Sequence, residues 1–582
     1  MRGALSPIAA AAASALFKSA LAAPLVNIDL GNWTTDRYDY IVVGAGPAGI
    51  IVADRLSETG GKTLLLEQGG PSYGITGGRE RPGWLNGTEL SRVDVPGLYS
   101  TIFATGSDTL LCNERYSAYG GCNLGGSSSI NAGLFFQPPS SDWDNFHPSG
   151  WKSSDVAPSI QRLYERQPSI EITSQDGQFY SQSGYDAARS WLVDGAGYAE
   201  VNINEQADRK QGVFGHTEYD YHNGQRGGPV TTYLQSALGR DNFLLKSNVT
   251  VVRAVRTGSR ATGVLATVGG ANVTINLTST GRVIFSGGAM FSPSLLMHSG
   301  IGPADALTTL AQAGALDPSL TPSLWINNSD VGSGLFDNPN TFIELSSPSV
   351  QSYTYSYDGA AMSDRDLYLN NRSGPYSSAG QTSVFWTYIN HTDTPPAGLQ
   401  GTIGTAGAFG FTNNSTITLN VYGTSGMLST GHVVLSRNKN GAFIPGPSNG
   451  IYYSDAAGRD AQDIAQFIYD IFSALDKSKS GLTPLNIPKN STVDEIKTYI
   501  TTPSSYAVGS VQHWSSSCRI GRCVDNSTRV IGMENLHVID ASILSPLTVN
   551  PQFGVMVAGE RGAELIKGLM GLSNCTESSL IR

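Results

Sequence analysis

A glycine-rich turn near the amino end constrains the fold of this chain more than any other feature. Residues 40–49 read YIVVGAGPAG, an apolar run typical of a strand buried on both faces, followed at once by the turn. Helical spacing comes next, and a second apolar run ends at Glu67, 18 residues after Gly49. Gly44, Gly46 and Gly49 would let the backbone approach a pyrophosphate, and Glu67 can accept hydrogen bonds from a ribose diol. We therefore predict a βαβ unit that binds a dinucleotide.

The composition indicates a large acidic globular protein. The chain has 582 residues, of which 40% are hydrophobic and 14% are charged, and its formal net charge is −10. This length is enough for one large core or two interlocked cores. Nucleic-acid binding needs a basic stripe, and the sequence has none, so we exclude a nucleic-acid partner.

The first 22 residues are predicted to be a secretory signal peptide. One Arg precedes an alanine-rich apolar stretch that ends in the small-x-small pattern of Ala20, Leu21 and Ala22. The stretch is too short for a membrane span and is interrupted by Lys18. No later segment approaches 18 uncharged apolar residues, so we predict no membrane span.

A dense set of N-x-[S/T] sequons also favours a glycoprotein that is secreted or held in the lumen of the secretory pathway. The sequons begin at Asn32, Asn86, Asn248, Asn272, Asn276, Asn327, Asn371, Asn390, Asn413, Asn414, Asn490, Asn526 and Asn574.

Two further segments identify the cofactor, which the first turn alone leaves open between NAD and FAD. Residues 120–131 read GGCNLGGSSSIN and residues 287–302 read GGAMFSPSLLMHSGIG, and both suit close packing of backbone on a flat ligand. With the first turn they resemble the glucose–methanol–choline (GMC) family of FAD-dependent oxidoreductases, whose second signature residues 288–302 match position by position. The resemblance implies FAD and no metal. It also implies cofactor contacts from Gly125, Gly126, Ser127, Asn131, Val249, Asp540 and Ala541.

Within this family the chain resembles the flavodehydrogenase part of the cellobiose dehydrogenases, from about residue 38 to residue 570. That group has a cysteine pair at the positions of Cys112 and Cys122, so the resemblance implies a disulfide there. A second disulfide, between Cys518 and Cys523, would close a short loop; the alternative is two unrelated buried thiols. Cys575 is left over.

The resemblance implies an α/β architecture: a Rossmann-like parallel-sheet domain that binds FAD, interleaved with a substrate domain built on an antiparallel sheet. Alternating patterns at 415–421 and 432–435 favour strands of that antiparallel sheet, which would roof the flavin ring. The FAD-binding domain is predicted at 38–155, 213–310 and 505–570, and the substrate-binding domain at 156–212 and 311–504.

His513 and Asn550 are the predicted catalytic residues. In the family a histidine stands at the first position and a histidine or asparagine at the second, both facing the reactive edge of the flavin. Oxidation of an alcohol requires hydride transfer from carbon to flavin N5 and loss of the hydroxyl proton. A neutral imidazole, with a pKa of about 6.5, suits the second task, so His513 would be the base. Asn550 offers a donor and an acceptor without charge and would orient the hydroxyl.

Three departures from the cellobiose dehydrogenase pattern concern the substrate pocket. Gln512 stands where those enzymes have asparagine, Thr430 where an arginine that grips the sugar is expected, and Phe553 where glycine is typical. We therefore expect a less polar and narrower pocket, with weak turnover of cellobiose compared with a less polar alcohol. An aromatic or aliphatic alcohol of a fungal-type biosynthetic pathway competes with a sugar as the substrate.

Two other classes of function stay open at this point. One is a flavoprotein cyclase or synthase of such a pathway, which uses the scaffold without net oxidation. The other is a lectin-like sugar binder with a vestigial flavin fold, which the three intact cofactor motifs disfavour. As partners we expect a small-molecule alcohol and an external electron acceptor, which could be a quinone, oxygen or a redox protein.

Overall fold

The computed structural model describes residues 33–103, 109–112, 119–548 and 550–572. Outside these residues lie the predicted signal peptide, the sequon positions Asn32 and Asn574, and Cys575. The helices, in chain order, are α1 (Pro47–Ser57), α2 (Ser140–Phe146), α3 (Ser153–Arg166), α4 (Ser183–Arg189), α5 (Tyr233–Leu238), α6 (Gly288–His298), α7 (Ala304–Gln312), α8 (Met362–Asn371), α9 (Arg459–Ser473), α10 (Val493–Thr501) and α11 (Gln552–Leu569). The strands are β1 (Arg37–Val43), β2 (Thr63–Leu66), β3 (Ala199–Glu200), β4 (Val213–His216), β5 (Tyr221–His222), β6 (Gln225–Arg226), β7 (Phe243–Lys246), β8 (Thr250–Thr257), β9 (Arg260–Val268), β10 (Ala271–Phe285), β11 (Ile301–Gly302), β12 (Ile326–Asn327), β13 (Ser333–Leu335), β14 (Pro339–Ser346), β15 (Gln381–Ile389), β16 (Ala397–Gly404), β17 (Thr416–Gly423), β18 (Gly431–Arg437), β19 (Phe443–Pro447), β20 (Thr483–Pro484), β21 (Gly509–Ser510) and β22 (Leu536–Val538).

The first large sheet contains the predicted βαβ unit. Its strand order is β7-β2-β1-β10-β9-β8, with β22 paired to β10. β1 runs parallel to β2 and β10, and its residues Tyr40 to Val43 are buried because helices cover the sheet. The dinucleotide-binding prediction is therefore confirmed at the level of the fold: strand, glycine turn, helix and strand follow one another as expected.

The long strand β10 pairs with different neighbours along its two halves. Residues Ala271 to Asn276 pair antiparallel with β9, and residues Arg282 to Phe285 pair parallel with β1. The same strand thus joins an antiparallel extension to the parallel nucleotide-binding core.

The second large sheet is antiparallel over most of its width. Its order is β20-β14-β17-β16-β15-β4-β3, with β21 paired to β14. The predicted strand at 415–421 is confirmed as part of β17. The predicted strand at 432–435 is also a strand, β18, but it lies in a separate three-stranded sheet with β13 and β19. That part of the prediction is wrong, because β18 pairs with the short strand that precedes β14 rather than with β17.

The predicted domain limits need three corrections. Residues 213–216 form β4, which pairs with β15 of the antiparallel sheet, and residues 509–510 form β21, which pairs with β14. Residues 156–166 lie in α3, where Arg162 binds Glu560 of α11 at 3.2 Å, so they pack on the FAD-binding side. Chain order alone does not reveal these assignments, since each depends on pairing with a distant segment.

The two faces of the antiparallel sheet differ in character. One face buries Ile343, Leu399 and Val421 against the apolar side of α9, which includes Ile464 and Phe467. Alternate residues of these strands point to the opposite face, which α9 does not cover. Within the described residues, no helix is both long enough and apolar enough to cross a bilayer.

Both predicted disulfides are present in the structure. Cys112 and Cys122 have Cα atoms 4.7 Å apart, and those of Cys518 and Cys523 are 4.8 Å apart. The second pair is fully buried, and Cys518 donates its backbone N–H to the carbonyl oxygen of Ser542 at 2.8 Å. The disulfide therefore closes a short loop after His513, and this hydrogen bond joins that loop to the segment after Asp540.

Replacing Cys518 and Cys523 together by serine should lower the free energy of unfolding by about 2 kcal/mol, as expected for a short closed loop. Denaturant unfolding followed by tryptophan fluorescence measures this change. Peptide mapping of the unreduced wild-type protein is the complementary test, and free thiols at both positions would contradict the disulfide.

Candidate active site

The glycine turn after β1 has the geometry of a phosphate-binding turn. Gly44 has a φ of +104°, and a Cβ there would lie 2.4 Å from the carbonyl oxygen of Ser286. A Cβ at Gly49 would lie 1.9 Å from the carbonyl oxygen of Gly44, so both positions need glycine for close packing. A Cβ at Gly46, by contrast, would meet no atom within 4 Å. Gly46 thus leaves room at the N-terminus of α1 for a diphosphate to approach the backbone.

The second predicted cofactor loop lies directly on this turn. Gly125 donates its backbone N–H to the carbonyl oxygen of Ala45 at 2.8 Å. A Cβ at Gly126 would lie 2.9 Å from the Cα of Gly46, and Ser127 accepts the N–H of Gly121 at 3.2 Å. The structure therefore brings the two glycine-rich segments together around Gly46.

Glu67 is buried at the end of β2 and holds the glycine turn in place. Its carboxylate accepts the backbone N–H groups of Ala45 and Gly69, each at 2.8 Å. Val249 is also buried and donates its N–H to the carbonyl oxygen of Glu67 at 2.9 Å. Because each carboxylate oxygen has a second lone pair, Glu67 can fix the turn and still accept a hydrogen bond from a ribose.

A buried polar network connects the second loop to the start of α11. The Asn131 side-chain oxygen accepts from the Arg226 guanidinium at 3.0 Å, and its amide donates to Gln552. Gln552 in turn donates to Asp220 at 2.7 Å, and burial raises the pKa of Asp220 to about 7. The network fixes the helix that begins just after Asn550 relative to the cofactor loop.

Asp540 links two of the predicted cofactor segments. Its carboxylate accepts the N–H of Gly288 at 2.9 Å, the hydroxyl of Ser292 at 2.5 Å and the N–H of Ser542 at 2.8 Å. Burial raises the pKa of Asp540, and these donors oppose that rise. The side chain thus caps the N-terminus of α6, whereas Ala541 beside it lines the pocket that contains His513.

His513 lies in a pocket formed by segments from the middle and the carboxy-terminal part of the chain. The residues that line this pocket with it include Phe336, Asn338, Ala541 and Pro551. The residue is half-buried, yet its Nδ1 atom is buried and has no hydrogen-bond partner among the residues that the structure describes. Burial lowers the pKa of His513 to about 4, because the charged ring would lose its hydration. The imidazole is therefore neutral at neutral pH and able to accept a proton.

Asn550 lies in a segment whose neighbouring residues line this pocket. Thr548 and Pro551, on either side of it, line the pocket together with His513. The Oδ1 atom of Asn550 is buried, again without a partner in the described part of the chain. Buried polar atoms normally have partners, so the two predicted catalytic residues each keep one atom that can bind a ligand.

Two of the three predicted substrate contacts are in other roles. The Gln512 side chain accepts from the N–H of Tyr119 and from the indole of Trp514, each at 2.9 Å, and donates to Ser510 at 2.6 Å. Phe553 is fully buried in α11, where its ring lies 4.7 Å from that of Phe135.

Phe553 also lies 5.3 Å from the ring of Tyr164, so it belongs to the core of the FAD-binding side. The predicted narrowing of the pocket by this ring is wrong, because the first turn of α11 directs the side chain inward. Thr430 is half-buried immediately before β18, and it is not among the residues that line the pocket of His513.

A buried polar row on the antiparallel sheet escaped the sequence analysis. Asn340, Tyr422 and Gln400 are neighbours across β14, β17 and β16. Trp386 continues the row on β15, and its ring lies 5.0 Å from that of Phe136, just beyond the second cofactor loop. The row therefore lies on the face opposite the one that α9 covers, and at Trp386 this face contacts the segment that follows the second cofactor loop. The strand alternation could have revealed which residues share a face, but not which face is buried against the cofactor domain.

The Oδ1 atom of Asn340 and the Oε1 atom of Gln400 are buried without partners among the described residues. Sequence reasoning also missed Asp337, which is buried and accepts the backbone N–H of His513 at 2.7 Å. It stands in GLFDNPN, a short stretch with no pattern that sets it apart.

Comparison with known proteins agrees with these features. The family model for the N-terminal part of GMC oxidoreductases matches residues 38–340, and the model for the C-terminal part matches residues 428–559. The first range contains both glycine-rich cofactor loops and the α6 segment, and the second contains His513 and Asn550.

Individual relatives are similar over nearly the whole chain. An oxygen-dependent choline dehydrogenase from Pseudomonas syringae pv. tomato is 26% identical, over 93% of this chain and 96% of that protein. The structure of formate oxidase from Aspergillus oryzae covers 92% of this chain and 99% of its own, with a TM-score of 0.70 and 19% identity. A fungal aryl-alcohol oxidase covers 92% and 100%, with a TM-score of 0.65 and 17% identity. These two structures share the fold.

The matched family models span more than half of the chain, and the glycine-rich loops that they contain pack backbone on backbone, as in a dinucleotide-binding turn. The chain therefore belongs to the GMC oxidoreductase family, whose members are FAD-dependent dehydrogenases and oxidases that act on CH–OH groups.

Proposed function

We propose that this protein oxidises the alcohol group of a polar small molecule, with His513 as the base that removes the hydroxyl proton. One observation carries the proposal: the unpartnered Nδ1 of His513 and the unpartnered Oδ1 of Asn550 belong to segments that line one pocket. That pocket also contains Ala541, next to the carboxylate that caps α6.

The chemistry divides between the two residues. Neutral His513 accepts the proton of the substrate hydroxyl, and Asn550 orients that hydroxyl by accepting or donating a hydrogen bond. FAD, when bound at Gly46 and the second loop, supplies the acceptor for the hydride that leaves the carbon. The alcohol thereby loses one hydride and one proton and becomes a carbonyl compound. The two electrons then leave the enzyme for an external acceptor, for which we propose a quinone, oxygen or a redox protein.

The polar row on the antiparallel sheet supports a hydroxylated substrate. Asn340 and Gln400 each present a buried oxygen without a partner, and such oxygens favour ligands that carry several O–H donors. The expectation of a less polar pocket depended partly on Gln512 and Phe553. In the structure the Gln512 side chain binds residues of its own loop and of a neighbouring loop, and Phe553 is buried in the core. We therefore propose a polyhydroxylated compound, such as a sugar or an oxygenated secondary metabolite, as the alcohol.

Secretion and glycosylation are further proposals. Among the sequons that the structure describes, every asparagine except Asn276 is exposed, as attachment of a glycan requires. Asn276 is half-buried within β10. Both disulfides also suit an oxidising compartment.

Replacing His513 by alanine should slow anaerobic reduction of the flavin by substrate about a hundredfold to ten-thousandfold, the range for a lost general base. FAD should remain bound, since the turn at Gly44 to Gly49 and Glu67 are unchanged. Stopped-flow absorbance at the flavin band measures the rate, and the same spectrum reports the FAD content. Asn550→Ala should slow flavin reduction less than His513→Ala does, because the asparagine orients the hydroxyl and transfers no proton.

The matched control is His216→Ala. Burial also lowers the pKa of His216 to about 4, and its ring is stacked between Phe179 and Tyr185 in the substrate domain. This variant should reduce its flavin at a rate close to wild type. Near-normal reduction in His513→Ala would refute the assignment of the base. A flavin that no alcohol reduces in the wild-type protein would favour the non-redox synthase instead.

The pH dependence of kcat/KM should reflect the lowered pKa of His513. The base works only when neutral, so kcat/KM should fall as pH drops through about 4 and should stay level from there to neutral pH. A steady-state profile with circular dichroism at each pH separates this loss from acid unfolding. A fall centred at about 6.5, the ordinary value for histidine, would show that the ring is not desolvated as the structure indicates.

Gln400→Met tests the proposed class of substrate, since it preserves length and removes the buried amide. Values of kcat/KM for cellobiose and glucose should fall about tenfold to a hundredfold relative to wild type, because a substrate hydroxyl loses its acceptor. The value for benzyl alcohol should stay within about twofold. Gln462→Met, the same change on the exposed side of α9, is the control. Equal losses for sugars and benzyl alcohol would argue against a polar recognition surface.

A further inference from the structure

The loop that carries His513 is attached to the segment before β14 at two points. Phe336 and Ser515 exchange two backbone hydrogen bonds, each of 3.0 Å. Farther along, β21 pairs with the first residues of β14, so that Ser510 lies opposite Pro339. Between these two points the peptide that joins Gln512 to His513 has no strand partner and needs another acceptor.

Asp337 fills this gap with a buried carboxylate. Its Oδ1 atom accepts the backbone N–H of His513 at 2.7 Å, and its Oδ2 atom accepts that of Gln512 at 3.2 Å. The hydroxyl of Ser510 donates to Oδ2 at 2.8 Å, and the hydroxyl of Tyr452 does so at 2.6 Å. The N–H of Asn338 completes the set by donating to Oδ1 at 3.0 Å.

The backbone that these bonds hold is in a conformation that side chains rarely adopt. Gln512 has a φ of +63°, in the left-handed region, although it is not glycine. Such a residue keeps this conformation only where its surroundings determine it strongly. Since Gln512 immediately precedes His513, the contacts of Asp337 with both N–H groups set the direction in which the imidazole leaves the chain.

We propose that Asp337 is the positioning residue that fixes His513 for proton transfer. This inference rests on the proposed role of His513 as the base. Asp337 acts through the backbone of the loop and does not itself touch the substrate. Loss of its second acceptor oxygen would let the loop relax, and displacement of a base by about 1 Å can cost about a hundredfold in rate.

The chain provides a matched carboxylate for comparison. Glu344 lies on β14, the strand that follows Asp337, and is also buried. Burial raises its pKa as it does that of Asp337. Its carboxylate accepts the N–H of Ala408 at 3.0 Å and the hydroxyl of Thr418 at 2.9 Å. Glu344 therefore binds one backbone N–H group and one hydroxyl, but neither belongs to the loop of His513.

The experiment compares Asp337→Asn with Glu344→Gln in the full-length holoprotein. Each change keeps the size of the side chain and replaces one acceptor oxygen by an NH₂ group, which cannot accept from an N–H. With the best substrate of the wild-type protein, Asp337→Asn should lower the rate of flavin reduction at saturation about tenfold to a hundredfold. KM should stay within about twofold, and FAD content should stay at one per chain. Glu344→Gln should leave the reduction rate within about twofold, whatever it costs in thermal stability.

A double variant separates positioning from general damage. If Asp337 acts through His513, Asp337→Asn should add no further loss in a His513→Ala background, because the group that it positions is gone. Equal rate losses in Asp337→Asn and Glu344→Gln, or full additivity in the double variant, would overturn the proposal.

Two further results also distinguish the role of Asp337 from that of His513. If Asp337→Asn fails to bind FAD, Ser510→Ala combined with Tyr452→Phe removes two donors and keeps the backbone bonds. That pair should slow reduction about twofold to tenfold with KM unchanged, and a wild-type rate would overturn the proposal. If His513→Ala itself reduces flavin normally, the proposed function fails, whereas a slow His513→Ala beside a normal Asp337→Asn defeats the inference about Asp337 alone.

Discussion

The contact of backbone with backbone at the glycine turn is the constraint on which the rest of the structure depends. The end of β10, the start of α1 and the loop at residues 125–129 all approach the turn more closely than a Cβ atom would allow. This packing is possible because the carbonyl oxygens and N–H groups find partners within the turn, as in the bond from Gly125 to Ala45. Any side chain at Gly44 or Gly49 would separate the sheet from the helix that it must pack against.

Buried carboxylates perform one task at three different loops. Glu67 holds the glycine turn, Asp540 holds the N-terminus of α6, and Asp337 holds the loop of His513, each by accepting backbone N–H groups. Burying a carboxylate costs free energy unless several donors surround it, and each of these loops provides them. The protein thus uses charged acceptors where ordinary strand pairing would leave functional loops without partners. Rigid loops of this kind suit a reaction in which a base must meet a hydroxyl within hydrogen-bond distance.

The pocket shows why comparison by sequence position can mislead about side-chain roles. Phe553 follows Asn550 by three residues, so proximity in sequence suggested that its ring faces the substrate. The helix that starts at Gln552 turns the ring toward Phe135 instead. Gln512 directly precedes His513, yet its amide is used by Ser510, Trp514 and Tyr119. Residues next to a catalytic residue can lie in the same loop and still point away from the pocket. Here the helical backbone at Phe553 and the left-handed backbone at Gln512 direct their side chains to other contacts.

The sequence by itself determined the βαβ unit, the cofactor class, the two cysteine pairs and the two candidate catalytic residues. Glycine spacing and apolar periodicity carry the βαβ unit, whereas the cofactor class, the Cys112–Cys122 pair and the two catalytic candidates follow from motifs that resemble those of the GMC family. Only the tertiary structure decided the polar row of Asn340, Tyr422 and Gln400, the role of Asp337 and the domain membership of residues 213–216 and 509–510. Each of these depends on pairing between strands or loops that are far apart in the chain, such as β21 with β14. Local patterns cannot specify such pairings, because the free energy that selects them comes from burial and hydrogen bonds formed only after the chain has folded.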